Sequence, residues 1–195
     1  MNRVDVLMTG FGAFEQVAEN PSGRLACQLD GQALAHGRVV GALIPVSFER
    51  GPRELEALVE RVQPALILAT GVHPGAGFRL ERGAQCGLTP GRPDADGVDA
   101  ESLGERTAER MGTRFDLGPL ETILAAAGPV ETSDDAGGYV CECVYRRALE
   151  IGDRDRIPSL FLHLPSFEHL PLERQRAGIL ALLDALVSQA SALAG

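Results

Sequence analysis

No lysine occurs in this chain: all 18 basic residues are arginine. That excludes a Schiff-base lysine, a phosphate-loop lysine and a serine–lysine dyad, each of which needs an ε-amine. Tryptophan is absent and tyrosine occurs twice, which removes the usual stacking platforms for bases and sugars. Positive charge is in deficit, 18 arginines against 27 carboxylates leaving −9. Such a surface repels phosphate backbones, so no nucleic-acid partner is expected. No apolar run reaches the roughly 18 residues of a membrane span; the best one, near the C-terminus, contains Asp184. No membrane association is therefore expected. The start, Met1-Asn2-Arg3-Val4-Asp5-Val6, lacks the apolar stretch of a secretory signal. Cysteines stand only at 27, 86, 141 and 143, too few for a disulfide framework, and Cys141 and Cys143 are too close to bridge easily within a helix. A reducing, cytoplasmic compartment is the plain expectation.

What is present suits one folded domain spanning residues 1–195. At that length a core forms without metal or disulfide staples, and 45% hydrophobic with 23% charged residues is the usual globular balance. The 23 glycines and 12 prolines make the chain rich in turns. There is no internal repeat, linker or low-complexity tract. Short apolar runs bounded by glycine or proline, Val4–Thr9, Val39–Pro45, Ala65–Thr70 and Ser159–Leu164, read as strands, with Val130–Ser133 a weaker fifth. Continuous runs of this kind suit a parallel sheet buried on both faces. Helical patterns lie between them. Asn20-Pro21-Ser22 is an N-cap followed by proline at the first helical position. Leu55, Leu58, Val59 and Val62 keep helical spacing between Pro52 and Pro64, and Ile179, Leu182, Leu183 and Leu186 repeat it after Pro171. The alternation predicts α/β architecture: a three-layer α/β/α sandwich around a mostly parallel sheet. Residues 71–98, with seven glycines, read as either a long functional loop or an irregular hairpin.

Four places carry possible chemistry, each with a plainer alternative. Thr9-Gly10-Phe11-Gly12-Ala13-Phe14 follows the first strand, but the third glycine of a dinucleotide fingerprint is missing, Phe14 and Glu15 occupying that region. Phe11 and Phe14 either pack under the sheet or wall a small apolar pocket. Ser133-Asp134-Asp135-Ala136-Gly137-Gly138-Tyr139-Val140-Cys141 runs from the weak strand through a glycine turn into a helix with Val140, Val144 and Ala148 on one face. Cys141 thus falls in the first helical turn, where the dipole lowers a thiol pKa, while Asp134 and Asp135 push the other way. The alternative is an inert buried cysteine, a role that suits Cys143 better. His163 sits in an apolar strand, Leu160-Phe161-Leu162-His163-Leu164-Pro165. It is either a hydrogen-bonded core residue or a catalytic imidazole. Glu81, beside Arg79 and Arg82, is either a surface ion pair or, if the strand ends converge, the acceptor of His163 Nδ1–H. His36, His73, His163 and His169 lack metal-ligand spacing, so no metal is expected.

Taken together these segments resemble the pyroglutamyl-peptidase I family of cysteine exopeptidases across nearly the whole chain and in the same order. The matching stretches are Thr9-Gly10-Phe11 through Phe14 to Asn20-Pro21-Ser22, Glu81-Arg82, Ser133-x-Asp135-Ala136-Gly137-x-Tyr139-x-Cys141, and Phe161 to Pro165. The resemblance implies a triad of Cys141, His163 and Glu81, and a substrate pocket of Phe11, Phe14, Asn20, Gly71 and Val72. The helix start at Gly138–Cys141 then offers backbone N–H groups, those of Tyr139 and Cys141, as the expected oxyanion donors. The implied reaction is hydrolysis of the amide bond after an N-terminal 5-oxoproline through an acyl-enzyme, without a cofactor, in a dimer or tetramer. The chain departs from the family in Asp134-Asp135, in Glu142 after the cysteine, in His73-Pro74, and in a segment 71–81 about one residue short. Arg92 loosely matches an arginine that bacterial members hold near the site. Two rivals stand beside this expectation: a cysteine amidase of other specificity, and a non-catalytic binding domain with a decayed site.

Overall fold

The computed structural model describes residues 4–14, 19–85, 87–103 and 109–193. Met1-Asn2-Arg3, Glu15 and Cys86 lie outside them.

In chain order the elements are β1 (Val4–Phe11), α1 (Pro21–Leu29), β2 (Ala33–Leu34), β3 (Gly37–Ile44), α2 (Arg50–Val62), β4 (Leu66–Val72), β5 (Phe78–Glu81), β6 (Gly83–Ala84), β7 (Met111–Gly112), α3 (Leu117–Ala125), β8 (Val130–Ser133), α4 (Val140–Asp155), β9 (Ser159–Leu164) and α5 (Leu172–Leu193). Seven strands form one sheet in the order β2-β3-β1-β4-β9-β5-β8, and β6 pairs with β7 outside it. The central β3, β1, β4 and β9 are mutually parallel. The alternation of strand side chains divides the apolar residues between two cores. Val6, Met8, Leu66, Leu68, Leu160 and Leu162 meet α1, α3 and α5 on one face. Leu7, Phe11, Ile67, Ala69 and Phe161 meet α2 and α4 on the other. This is the expected three-layer arrangement.

Local chemistry explains the ends of the elements. Asn20 caps α1, its side chain accepting from Ser22 N, and Pro21 occupies the first turn, where its missing N–H costs nothing. Gly10 of the rejected dinucleotide motif has a packing reason: a Cβ there would lie 2.2 Å from the Ser22 carbonyl oxygen. The second helix starts at Arg50, so Pro52 lies inside its first turn rather than ahead of it, a position proline tolerates. It ends at Gln63 in the left-handed conformation, just before Pro64. By length and composition α5 is apolar enough to cross a membrane, but Ile179, Leu182, Leu183, Leu186 and Val187 are buried in the core.

Two expectations need correction. The segment 71–98, read as a long loop or an irregular hairpin, is neither: it holds the end of β4, then β5, which pairs with β8 and β9, and β6, which pairs with β7. With the sequence Phe-Arg-Leu-Glu, β5 buries its glutamate as well as its apolar residues, so it lacks the apolar pattern by which a strand is recognised. Second, Val130–Ser133 is a strand with the expected bounds, but it runs the other way. It is parallel to β5, and β5 is antiparallel to β9.

Candidate active site

The site is built on the sheet face covered by α2 and α4. Along β9, Phe161 and His163 point to that face, between leucines that point to the other. Antiparallel pairing of β5 with β9 sets Glu81 opposite Phe161 and Arg79 opposite His163, so all four side chains share one side. Glu81 reaches diagonally to His163, with Oε1 2.7 Å from Nδ1, and both residues are buried. An ionised carboxylate only accepts, so Nδ1 carries the proton and Nε2 is left as the basic nitrogen. Arg79 Nε donates to the same Oε1 at 2.9 Å. Behind them Tyr145 donates its hydroxyl to the Glu81 carbonyl at 2.9 Å.

Cys141 reaches this face by a different route from the expected one. Because β8 opposes β9, the chain does not enter α4 directly from the carboxyl end of a parallel strand. Residues 134–139 make the return, turning at Gly137 (φ 96°) and Gly138 (φ 59°), a conformation in which glycine carries no Cβ penalty. Cys141 then sits in the first turn of α4. Its sulfur lies over Gly71, where a Cβ would be only 2.9 Å from Sγ and 3.0 Å from the Phe161 ring. Gly71 is in turn the register partner of His163. Thiol, imidazole and carboxylate are thus drawn from α4, β9 and β5.

Burial pushes the Cys141 thiol up to about 12, helped by the charge of Glu81 and opposed by Arg92 and by its own backbone N–H. The helix-terminus argument for a lowered pKa is overridden here, because the apolar surroundings disfavour the thiolate more than the first turn favours it. Burial also lowers the pKa of His163, against the hydrogen bond and charge of Glu81, which raise it. Both shifts favour the neutral forms, thiol and imidazole.

Cys141 and His163 share a cavity of about 180 Å³ whose walls include Phe11, Phe14, Asn20, Val46, Val72 and Tyr139. Phe11 is buried at the end of the interior strand β1, within the core under α2 and α4, and also lines the cavity, so the packing and pocket alternatives both hold for it. Phe14 is half-buried, its ring 5.9 Å from that of Tyr139. The Arg92 guanidinium lies 4.2 Å over the Tyr139 ring and 6.0 Å from Phe14. Asn20 borders the cavity, yet its amide serves the fold: Oδ1 accepts from Ser22 N at 3.1 Å and Ser22 Oγ at 2.8 Å, and Nδ2 donates to Gly12 O at 3.1 Å. His73, Arg79, Val46 and Ala136 also line the cavity and were not assigned to it from the sequence. For Arg79 the signal was its two-residue spacing from Glu81, which puts both on one face once β5 is recognised.

A larger groove of about 310 Å³ lies between α2 and α4, lined by Glu49, Arg53, Glu56, Arg146, Arg147 and Glu150, with Cys143 at its floor. Its charges are largely spent on each other, Glu56 pairing with Arg147 and Arg154. Cys27 is exposed on α1, away from either space. Among the described residues no group of three or more His, Cys, Asp or Glu is placed to hold a metal ion.

Residues 4–187 match the family model described as pyroglutamyl peptidase. The pyrrolidone-carboxylate peptidase of Pseudomonas fluorescens is 29% identical over 189 residues, covering 94% of this chain and 87% of that protein. The enzyme of the same name from Pyrococcus furiosus is 29% identical over 171 residues, covering 82% of this chain and 80% of its own. The solved structure of pyrrolidone carboxyl peptidase from Fervidobacterium islandicum superposes with a TM-score of 0.84 at 28% identity, over 95% of this chain and 99% of that one. That fold, that sheet face and that match converge: the chain belongs to the pyroglutamyl peptidase family, a family of cysteine peptidases.

Proposed function

We propose that Cys141, His163 and Glu81 carry out the family's reaction in this chain, with residues 1–195 as one catalytic domain. The observation that carries the assignment is the buried 2.7 Å contact of His163 Nδ1 with Glu81 Oε1, which leaves Nε2 free to act as base in the cavity that Cys141 enters. As substrate binds, Nε2 takes the Cys141 proton while Sγ attacks the pyroglutamyl carbonyl carbon. The tetrahedral oxyanion is held by backbone N–H groups of Tyr139 and Cys141 at the start of α4. His163 then gives its proton to the departing amine and the C–N bond breaks, leaving a thioester. Water attacks the thioester, losing its proton to Nε2, and 5-oxoproline leaves as Sγ recovers a proton.

The cavity suits the lactam ring because that ring is small, uncharged and carries one amide donor and one acceptor. Phe11, Phe14 and Val72 supply apolar walls, Gly71 the space for the attacking sulfur, and Asn20 the fold of the loop that bears the aromatics. No cofactor takes part. A thiol nucleophile has to stay reduced, which fits a cytoplasmic location, and the −9 charge argues against nucleic acid as a partner. A homo-oligomer is proposed from the family alone.

The test is turnover of a fluorogenic pyroglutamyl amide by wild type, Cys141→Ala and Cys143→Ala, with a prolyl amide as control. Pyroglutamyl-selective turnover that disappears only in Cys141→Ala is expected. Cleavage of other amides but not this one would make the protein an amidase of different specificity. Silence toward all of them, with Cys141 no more reactive to alkylation than Cys27, would mean a decayed site.

A further inference from the structure

His73 is buried, and both of its ring nitrogens are engaged by the main chain of its own turn. Nε2 lies 2.7 Å from the Gly77 carbonyl oxygen, and Gly75 N–H points to Nδ1 at 3.3 Å. A carbonyl can only accept and an amide N–H can only donate, so Nε2 bears the proton and Nδ1 is the acceptor. The ring fills its turn closely: a Cβ on Gly75 would lie 2.4 Å from the imidazole. The backbone N–H of His73 donates to Leu164 O at 3.1 Å, tying the turn to the end of β9. Val72, His73 and Pro74 together form one wall of the cavity that holds Cys141.

We propose that His73 is the positioning residue of the substrate pocket: its neutral Nε2–H tautomer latches the 73–77 turn, and with it the Val72–Pro74 wall, in the shape that binds the pyroglutamyl ring. The proposal rests on that cavity being the pyroglutamyl site. Protonating Nδ1 sets two donors against each other at Gly75, so the latch opens and the wall loosens. The charged and titratable groups facing His73 are His163 on β9, with ring centroids 5.8 Å apart, Arg79 and Glu81 on β5, and Glu131 on β8. Burial lowers its pKa, and Arg79 adds to this, while the Gly77 carbonyl, Glu131 and Glu81 oppose. The neutral latch is therefore the form present at neutral pH. Its action falls on KM, whereas loss of the His163 base falls on kcat.

The experiment follows KM and kcat for a pyroglutamyl amide between about pH 5 and 8 in wild type, His73→Gln and His73→Phe. Wild-type KM is expected to rise roughly tenfold toward the acid end. His73→Gln keeps a donor for Gly77 but cannot titrate, so its KM stays near the neutral wild-type value at every pH. His73→Phe has a raised KM throughout, and kcat keeps the same acid limb in all three. A wild-type KM flat with pH, or Gln and Phe variants that behave alike, would overturn the proposal while leaving the pocket assignment intact. No turnover by wild type would remove the pocket assignment and the proposal with it. Imidazole nitrogen chemical shifts of wild type give a measurement that needs no variant to fold: an Nδ1–H tautomer at His73 would also overturn the latch.

Discussion

Glu81 Oε1 serves His163 and Arg79 at once, so one oxygen fixes a tautomer and sets a pKa. The charge and hydrogen bond of Glu81 hold the His163 pKa up against burial; glutamine removes the charge and weakens the hydrogen bond to a neutral one. The pKa then falls further below its ordinary value of about 6.5, so the acid limb of kcat moves to lower pH. The maximal rate is expected to drop roughly 10²-fold. A pH–rate profile of Glu81→Gln checks both, and an unmoved acid limb would mean that His163 is not the titrating base. Gly71→Ala is the steric counterpart. Its methyl group would press on Sγ and on Phe161, displacing the nucleophile, and a misplacement near 1 Å costs roughly 10²-fold in rate. A folded Gly71→Ala enzyme with the wild-type rate would show that the sulfur does not attack from where it rests. At this scale the meeting of Glu81 with His163, and the entry of Cys141 into the same cavity, were legible because the three motifs are local. Arg79 and His73 were not, since their roles depend on which strand and turn they fold into. The direction of the thiol shift stays open in the sequence, where the dipole and Asp134-Asp135 oppose each other, because burial, the larger effect, is invisible there.

The cap of α1 separates a structural role from a binding one. Asn20 was expected to touch substrate, yet its amide holds Ser22 and Gly12. Asn20→Ala is therefore expected to cost about 1–2 kcal/mol, the upper part of the range for losing an N-cap, measured by denaturant unfolding of a catalytically silenced protein. Unchanged stability with a raised KM would return Asn20 to the substrate. The central strands and the α1 cap could be read because apolar runs and the Asn-Pro pair carry their own signals. The third helix was not read: Leu117–Ala125 is short and opens with Gly118 and Pro119, which usually mark a loop. Strand direction at the edge was hidden too, since nothing in Val-Glu-Thr-Ser distinguishes a parallel edge from an antiparallel one.

For the molecule as a whole, two imidazoles held neutral by burial bind stability to pH. Both His73 and His163 have folded pKa values below the unfolded one, so between those values the unfolded chain binds more protons and stability falls as pH falls. The contribution is complete above about pH 6.5 and declines below it, ahead of the carboxylates that titrate near 4. Melting temperatures are thus expected to be level between about pH 7 and 8 and to fall between about pH 6.5 and 5, before most carboxylates protonate. A level curve through that interval would mean that neither histidine is held neutral by the fold. The layer order could be read because continuous apolar runs imply a sheet buried on both faces and helical segments alternate with them, whereas strand direction at the edge leaves no such mark.

The pairing of Glu81 with His163 crosses a ladder of only three residue pairs, Arg79 with His163, Leu80 with Leu162 and Glu81 with Phe161. Because side chains alternate, sliding β5 by a single residue would send the carboxylate to the opposite core. On the proposed mechanism a slipped strand therefore leaves His163 without its carboxylate: turnover becomes a readout of strand registration, and loss of activity on unfolding is expected to follow loss of the β5–β9 ladder.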